Sequence, residues 1–433
     1  MRDSKQELSK EPATNRKTGW IDLSRLKVSI DLTSEWKQMY AEAWRLQRDY
    51  YWTENMSFID WKTVYDRYYP LLDRVASRSE FSDVMWEMQG ELGTSHAYEM
   101  GGDYRPGPNY GIGKLGAELS PSKDGKYFTF SRIAAGDVWE KQAPPLKRLG
   151  VNIVKGMRLL KVAGQTVNSD NHPNEVLANQ ASQEVTLEIA ESNGKLKRTV
   201  TIKTINNDTT LWYREWVESN RKYVHEKSNG KLGYVFIPDM GPRGFAEFHR
   251  YFLAEFEHEG LVIDLRYNGG GHVSPLLLEK LSRKRFGYYS TRWMGKQPKP
   301  GESPRGPMVA ITNEFAGSDG DIFSHGFKML KLGKLIGTRT WGGVIGIWPR
   351  NALVDGTITT QPEFSNWFFD KEYGVENYGT DPDIVVEITP QEYVAGKDPQ
   401  LDRGISEGLK DIKKWNIKPP SLSKNMPNLT LPK

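Results

Sequence analysis

The spacing of apolar residues divides the chain into three blocks of different periodicity. In the first block, about residues 20–108, apolar side chains recur every three or four positions, which indicates amphipathic helices. Three helices are predicted. The first follows a cap at Thr33 or Ser34, the second starts at Asp60, and the third starts at Ser82. Their aromatic stripes are typical of a core, and a ligand groove is the less favoured interpretation.

The two later blocks carry strand patterns. About residues 109–207 contain four short strand-like runs between turns, with a short helix near Asn174. About residues 208–420 alternate apolar runs with helical patterns, which is typical of an α/β sheet. The strands predicted in this third block are Gly233–Pro238, Leu261–Leu265, Met308–Thr312, Lys334–Gly337 and Ile384–Glu387. Residues 1–19 and 421–433 are polar or rich in proline and predict flexible tails.

The composition is that of a globular protein, and it removes several classes of chemistry. The 433 residues carry 59 Lys and Arg against 55 Asp and Glu, and the resulting net charge of +4 argues against a nucleic-acid partner. Because the chain has no cysteine, disulfides, thiolate zinc sites and cysteine nucleophiles are excluded. No apolar run is long enough to span a membrane, and the N-terminus lacks the apolar segment of a signal peptide. We therefore expect a soluble cytoplasmic protein with no membrane partner.

Motifs for metal or phosphate binding are also missing. The seven histidines show no HExxH spacing or other short ligand pattern, and adjacent residues such as Glu257, His258 and Glu259 point in different directions on a helix. The glycine-rich segment Asn268–Gly271 follows a predicted strand but matches neither phosphate-binding consensus. The sequence therefore predicts no metal and no cofactor.

The segment Phe315–Asp321 places a serine where nucleophilic catalysis is physically favoured. It joins the predicted strand Met308–Thr312 to a helix, so Ser318 meets the free N–H groups and the positive dipole of a helix N-terminus. Those features stabilise a developing oxyanion. Ser318 could instead cap the helix, with Asp321 completing a capping box. The segment alone leaves both interpretations open.

A base for Ser318 has to come from elsewhere in the chain. The GxSxG motif of α/β-hydrolases fails because Ala316 replaces its first glycine. His325, the only histidine after Ser318, lies about 10 Å further along the same helix, beyond hydrogen-bond reach. A catalytic histidine must therefore lie upstream. A Ser–Lys pair is the alternative, and its candidates are Lys328, Lys331 and Lys334.

Five segments, in one order, resemble the C-terminal catalytic core of the tricorn proteases, which are related to the tail-specific serine proteases. They are Gly93–His96, Leu261–Gly271, Asn313–Asp321, Thr340–Ile347 and Val375–Asp383. The run Gly156–Gly164 is similar to a PDZ signature. The resemblance implies a multidomain α/β fold with a helical N-terminal subdomain (20–108), a PDZ-like β domain (109–207) and an α/β serine protease domain of ClpP/crotonase type (208–420).

The resemblance also implies an activity and its residues. The expected function is that of a serine endopeptidase or oligopeptidase that cleaves short unfolded peptides through an acyl-enzyme. The implied tetrad consists of Ser318 as nucleophile, His96 as general base, Ser95 as the group that orients His96, and Glu376 as the hydrogen-bond partner of Ser95. The implied oxyanion hole consists of the backbone N–H groups of Gly271 and Asp319.

The sequence departs from the family pattern at three points. Gly343 stands where tail-specific proteases have their catalytic lysine, which disfavours a Ser–Lys mechanism. Tyr289 stands where the family has an aspartate at the base of its specificity pocket, so a preference for apolar or aromatic residues is expected. No counterpart of the family's N-terminal β-propellers is recognised, so we expect a trimmed or shorter relative. The family hexamer suggests a homo-oligomer.

Two other functions stay open at this stage. The PDZ-like block could bind peptides next to an inert α/β block, which would make the chain a peptide-binding scaffold. A related fold could instead perform proton abstraction or acyl transfer on small thioesters. Reaction with a serine-directed probe distinguishes the scaffold from the enzymes.

Overall fold

The chain divides into two structural units that are not contiguous in sequence. The computed structural model describes residues 14–16, 19–23, 26–137, 143–415, 421 and 426–431. Unit 1 consists of Met1–Tyr104 and Ile345–Ser365, and unit 2 of Arg105–Val344 and Asn366–Lys433. Most of the predicted N-terminal tail and part of the predicted C-terminal tail lie outside the described residues. Among the described helices, none combines the length and apolar character needed to cross a bilayer.

The helices and strands of the described residues are numbered here in chain order. The α-helices are α1 (Leu32–Tyr50), α2 (Trp61–Tyr68), α3 (Arg78–Gly90), α4 (Pro173–Val176), α5 (Thr209–Lys227), α6 (Pro242–Glu255), α7 (Ser274–Ser282), α8 (Asp319–Met329), α9 (Pro390–Val394) and α10 (Pro399–Lys414). The strands are β1 (Glu99–Met100), β2 (Ala117–Pro121), β3 (Phe128–Ile133), β4 (Arg158–Val162), β5 (Gln165–Thr166), β6 (Glu184–Ala190), β7 (Arg198–Lys203), β8 (Leu232–Phe236), β9 (Gly260–Asp264), β10 (Gly287–Thr291), β11 (Gly295–Lys299), β12 (Met308–Thr312), β13 (Gly333–Gly337), β14 (Ile358–Thr359) and β15 (Ile384–Val385).

Unit 1 is built on the three helices that the apolar spacing predicted. Helix α1 buries the predicted aromatic stripe, including Trp36 and Tyr40, against Phe81 of α3. Helix α2 starts after Asp60, whose carboxylate accepts a hydrogen bond from the N–H of Thr63 at 3.0 Å. Helix α3 begins at Arg78, earlier than the predicted start at Ser82, because Ser77 forms a capping box with Glu80. The stripe is therefore core, as predicted.

The segment Ile345–Ser365 belongs to unit 1, although the sequence pattern placed it in the α/β block. Its short strand β14 pairs antiparallel with β1. Its Leu353 is buried in the core of α1–α3. The buried amide of Gln47 donates to the Thr360 carbonyl at 2.9 Å, which satisfies a polar group inside the helical core. The expected block of residues 208–420 did not separate this segment, because its partners lie near the start of the chain and leave no local signal.

The PDZ-like part of unit 2 is an antiparallel sheet around its own core. Its strands lie in the order β2-β3-β4-β6-β7, with β5 paired to β4. Phe130, Leu159 and Leu187 are fully buried, and each lies in one of the predicted strand-like runs. The helix predicted near Asn174 is present but spans only the four residues of α4.

The α/β part of unit 2 is a five-stranded parallel sheet with helices packed against it. Its order is β15-β13-β12-β9-β8, and every one of these strands was predicted from an apolar run. Strands β8, β9 and β12 are buried at all positions, which shows that both faces of the sheet are covered there, even at the edge strand β8. Because the strands are parallel, the loops after β9 and β12 emerge at the same edge of the sheet. The serine segment and the glycine-rich segment are those two loops.

Candidate active site

Ser318 lies at the turn between β12 and α8 in a strained conformation. Its φ and ψ angles are 56° and −120°, a combination that costs a residue with a side chain about 1–3 kcal/mol. The side chain is partly buried, and its hydroxyl makes no capping hydrogen bond to the helix. The carboxylate of Asp321 accepts from the N–H of Gly342 at 2.8 Å. A capping box would need a hydrogen bond from the helix N–H groups to the Ser318 hydroxyl, and this bond is missing. The interpretation of Ser318 as a helix cap therefore loses its support.

The glycine-rich loop after β9 packs directly against Ser318. A Cβ atom on Gly270 would come within 2.6 Å of the Ser318 Cβ, so only glycine leaves room for the serine here. The side-chain oxygen of Asn268 accepts from the N–H of Gly270 at 3.0 Å. The backbone carbonyl of Asn268 accepts from the N–H of Gly317 at 3.0 Å. These bonds join the two loops into one assembly, as the shared crevice expected from the sequence requires.

Two backbone N–H groups of this assembly are available to an external acceptor. In the described part of the chain, neither the N–H of Gly271 nor that of Asp319 donates to a protein acceptor. Asp319 is the first residue of α8, where helix geometry leaves the N–H groups without intrahelical partners. Gly271 has a φ of 146°, and a Cβ there would lie 2.1 Å from the Met240 carbonyl oxygen. Its N–H is thus held on a backbone that only glycine can adopt.

The side chain of Asp319 joins the first turn of α8 to the first residue of helix α7. Its carboxylate accepts from the N–H of Ser274 at 2.9 Å and from the Ser274 hydroxyl. Burial raises the pKa of Asp319, while the hydrogen bonds from Ser274 oppose the rise. Since Ser274 follows closely after the glycine loop, this contact holds the first turn of α8 next to that loop.

Ser95 and His96 form a local pair after helix α3. The hydroxyl oxygen of Ser95 lies 2.9 Å from Nδ1 of His96, and both side chains are partly buried. His96 has a φ of 65°, and its carbonyl oxygen accepts from the Thr360 hydroxyl. In the tautomer whose Nδ1–H donates to the Ser95 oxygen, the lone pair of the neutral ring lies on Nε2, which can then take a proton. The contact is the one that an orienting role for Ser95 requires.

Glu376 is tied to the loop that also holds Asp321. Its Oε2 atom accepts from the N–H of Val344 at 2.6 Å. The N–H of Asn377 donates to the Gly342 carbonyl at 2.7 Å. Because Gly342 also donates to Asp321, the loop of residues 341–344 links Glu376 to the helix that begins after Ser318.

The predicted site residues are divided between the two units. Unit 1 contains Ser95 and His96. Unit 2 contains the remaining predicted residues, which are Ser318, Glu376, Gly271, Asp319 and Tyr289. Within unit 2, the structure gathers the serine and both candidate oxyanion donors into the assembly described above. Tyr289 lies on the two-stranded β10–β11 hairpin opposite Gln297 and is 50% exposed.

The alternative partners of Ser318 are engaged in other contacts. His325 is buried, with Nε2 at 2.9 Å from an Asp370 oxygen. Lys328 donates to the Asp381 carbonyl and pairs with Asp383. Lys334 pairs with Glu407 and Asp411. The elimination of His325 from chain order agrees with the structure, and two of the three candidate lysines are committed to ion pairs.

Sequence reasoning missed two residues that shape the site. Asn268 is buried, and its side chain donates to the Ile237 carbonyl and accepts from the N–H of Gly270, while its backbone carbonyl accepts from Gly317 of the serine loop. Asp321 is buried beside the 341–344 loop, and burial raises its pKa to about 6. The signal for Asn268 was an amide residue directly before three glycines, a turn-forming pattern. Asp321 left no signal for this role, because its partner Gly342 belongs to a separate, later loop.

Three regions of the chain match known domain families. Residues 32–90 match the tricorn protease C1 domain, residues 113–207 the tricorn protease PDZ domain, and residues 231–386 peptidase family S41. The helical, PDZ-like and α/β fold class expected from the sequence is thereby confirmed. The α/β part of the chain, which contains Ser318, thus has the domain type of peptidase family S41.

Individual proteins are similar to almost the whole chain. A Sulfurisphaera tokodaii protein named as a putative tricorn-like protease C-terminal subunit is 48% identical over 92% of this chain and 46% of its own length. The tricorn protease of Thermoplasma acidophilum is 44% identical over 92% of this chain and 37% of its own length. The crystal structure of the tricorn protease has a TM-score of 0.86 and 42% identity over 91% of this chain and 38% of that chain. The chain thus has the C1, PDZ and S41 domains of the C-terminal part of tricorn proteases, and it spans less than half the length of these relatives.

Proposed function

We propose that this chain is a tricorn-type serine peptidase that cleaves short unfolded peptides through an acyl-enzyme. The observation that carries the proposal is the conformation of Ser318 in unit 2. A strained serine lies at a helix N-terminus without a side-chain capping bond, and two N–H groups in the adjoining loops have no acceptor among the described residues. Family membership supports the same chemistry.

The proposed reaction begins with the attack of the Ser318 Oγ atom on the carbonyl carbon of a peptide bond. His96 takes the Ser318 proton on Nε2 and then donates it to the leaving amine, which breaks the C–N bond and leaves an acyl-serine. A water molecule then attacks the ester, with His96 again accepting and returning the proton. The products are two shorter peptides and free Ser318.

Four groups are assigned to stabilise this sequence of steps. The N–H groups of Gly271 and Asp319 are proposed to bind the oxyanion of both tetrahedral intermediates. Ser95 holds Nδ1 of His96, which is supported by their 2.9 Å contact. Glu376 is proposed to accept from the Ser95 hydroxyl and so favour the protonated imidazole. The homo-oligomer and the cytoplasmic location expected from the sequence belong to this proposal as well.

Substitution of the proposed nucleophile and base tests the mechanism. Ser318→Ala and His96→Ala should each lower turnover of a peptide–fluorophore substrate by several orders of magnitude, because members of a catalytic unit act together. Glu376→Gln keeps the shape but removes the charge, so a smaller loss of about one to three decades is expected. Ser282→Ala and His249→Ala, at partly exposed positions outside the proposed site, serve as matched controls with unchanged turnover.

A serine-directed fluorophosphonate probe adds a readout that does not depend on substrate choice. The wild type should be labelled once, and the label should be absent from Ser318→Ala. Near-wild-type turnover in Ser318→Ala or His96→Ala would overturn the mechanism. An unlabelled wild type that binds peptides would favour the scaffold, and turnover of small thioesters without peptide cleavage would favour the acyl-transfer enzyme.

We further propose that Tyr289 favours cleavage after apolar or aromatic residues. An aromatic ring with one hydroxyl offers no buried carboxylate to offset the desolvation of a cationic side chain. Identical fluorogenic peptides with Phe, Leu or Arg before the scissile bond measure the preference, and Phe or Leu should give the highest kcat/KM. Tyr289→Asp should raise the Arg value relative to Phe, whereas Tyr288→Asp is the neighbouring control. A wild-type preference for Arg would contradict the proposal.

A further inference from the structure

Two histidines and a glutamate converge at a place in unit 2 that the proposed peptidase site does not use. His225 lies in the last turn of α5, Glu255 is the last residue of α6, and His258 follows shortly after that helix. One ligand atom from each lies within 4.8 Å of the other two. We propose that this set, the His–Glu–His cluster, binds one Zn²⁺ ion as a structural site.

Glu255 is anchored so that one of its oxygens faces both histidines. The residue is 1% exposed, and its Oε1 atom pairs with Arg221 at 3.0 Å. Its Oε2 atom lies 2.7 Å from Nε2 of His225 and 3.4 Å from Nε2 of His258. The same oxygen accepts from the N–H of Tyr234 at 3.2 Å. A buried carboxylate thus directs one oxygen toward two imidazole nitrogens.

The ring of His258 is oriented as a metal ligand would be. Its Nδ1 atom lies 2.8 Å from the carbonyl oxygen of Gly230. Since a carbonyl only accepts hydrogen bonds, Nδ1 carries a proton, and the neutral ring has its lone pair on Nε2. A backbone carbonyl bound to the remote ring nitrogen is the usual outer contact of a zinc-bound histidine.

This orientation requires a cation inside the cluster. A lone pair on Nε2 of His258 and the Oε2 atom of Glu255 would repel each other at 3.4 Å unless a positive charge lies between them. That charge can be a proton on Nε2 or a metal ion bound by all three side chains. The second histidine supplies a third ligand atom for a metal, because its Nε2 lies 2.7 Å from the same carboxylate oxygen.

The donor set and its dimensions fit Zn²⁺. Two imidazoles and one carboxylate form a common zinc ligand set, with bonds of about 2.0–2.2 Å and a water in the fourth position. Tetrahedral ligands at those bond lengths lie about 3.3–3.5 Å apart. The observed separations of 2.7 and 3.4 Å from Oε2 require only small side-chain movements. The histidine side chains are 29% and 25% exposed, so an ion and its water can reach the cluster.

The position of the cluster indicates a structural and not a catalytic ion. Glu255 contacts Tyr234 in β8, and His258 contacts Gly230 just before that strand, so the cluster lies toward the amino end of the parallel sheet. Ser318 follows the carboxyl end of β12, which runs parallel to β9 and β8. A bound ion would connect the end of α5, the end of α6 and the edge strand β8. Sequence reasoning missed the cluster because it considered Glu257 and Glu259 as neighbours of His258 and not Glu255.

Metal titration of the chelator-treated protein tests the proposal. Isothermal titration with Zn²⁺ at neutral pH should show one site per chain, and Zn²⁺ should raise the melting temperature of the wild type. His225→Ala and His258→Ala should each weaken this site by at least about tenfold to a hundredfold and remove the thermal shift. His249→Ala, a histidine on the same helix as Glu255 but outside the cluster, should bind as the wild type does.

A second measurement on the unmodified chain keeps the test valid if a histidine variant folds poorly. Co²⁺ in a four-coordinate site with two imidazoles should give intense visible absorption that saturates at one equivalent and disappears when Zn²⁺ is added. Absence of stoichiometric Zn²⁺ binding by the wild type would overturn the proposal and leave protons as the bridging charge. Wild-type affinity in both His225→Ala and His258→Ala would overturn it as well, since the ion would then bind elsewhere.

Discussion

At the scale of single residues, the strain of Ser318 is maintained by neighbours that lack side chains. Gly270 packs against the serine, and a Cβ on Gly317 would come within 2.8 Å of the Trp341 ring. Trp341 is itself held by a bond from its N–H to the Ala316 carbonyl at 3.0 Å. Close packing on both sides thus stabilises the positive φ of Ser318. In this conformation the hydroxyl makes no capping hydrogen bond to α8.

Asp321 should make the stability of the protein depend on pH. Burial is the main cause that raises its pKa from 3.8 to about 6, so between these values the folded chain keeps a proton that the unfolded chain has lost. Its stabilising contribution is therefore present below about pH 4 and lost as the pH rises through about 6. At about 1.4 kcal/mol per pH unit, this loss amounts to at most about 3 kcal/mol.

Asp321→Asn removes this titration, and a comparison with the wild type isolates it. The free energy of unfolding of the variant, relative to the wild type, should increase by up to about 3 kcal/mol between pH 4 and pH 7. Urea unfolding at several pH values measures the difference. Asp170→Asn, in an exposed loop of unit 2, should show no such trend. A pH-independent difference for Asp321→Asn would show that burial does not shift this group.

At the scale of elements, one arginine connects helix α3 to the segment that returns to unit 1. Arg78 donates to Asp355 at 2.8 Å and to the Thr357 hydroxyl at 2.6 Å. It also contacts Glu99 at 3.2 Å, and its guanidinium lies over the Tyr104 ring. The side chains of Arg78, Asp355 and Glu99 are 11%, 5% and 4% exposed. Two buried carboxylates therefore depend on one cation.

Arg78→Met should destabilise unit 1 by about 3–5 kcal/mol. Removing one partner of a buried ion pair leaves the other charge without compensation, and here two carboxylates lose their partner. Denaturant unfolding measures the loss. Arg45→Met is the control, because Arg45 pairs with Glu42 on the surface and is 44% exposed, so a loss below about 1 kcal/mol is expected. Equal losses in the two variants would contradict this account of Arg78.

At the scale of the whole molecule, the chain leaves the α/β part of unit 2 and later returns to it, and a hydrogen bond joins the residues at these two points. It leaves after Val344 and returns at Asn366. The Asn366 amide donates to the Val344 carbonyl at 2.6 Å, so exit and return are held together within unit 2. Because Glu376 also binds Val344, the same junction positions a predicted catalytic carboxylate. The segment between these two points can thus belong to another unit without disturbing the parallel sheet.

The sequence by itself determined the elements and most of the candidate site. Apolar periodicity reports which face of a segment is buried, so it predicted all five strands of the parallel sheet and the helices of unit 1. The seven-residue helical spacing from Ser318 removed His325, and the motif resemblance selected Ser318 and His96 as candidates. Helix boundaries shifted by a few residues where a cap such as Ser77 outweighed the apolar pattern.

Only the tertiary structure decided the questions that depend on contacts between distant residues. Whether Ser318 is a cap or an available hydroxyl depends on its φ angle and on Gly270, which belongs to the loop after a different strand. The membership of Ile345–Ser365 in unit 1 depends on partners such as Gln47, and the His–Glu–His cluster joins residues from two helices and the turn after them. Local patterns encode burial and turn preference, whereas hydrogen bonds and ligand sets are fixed only when folding brings separate segments together.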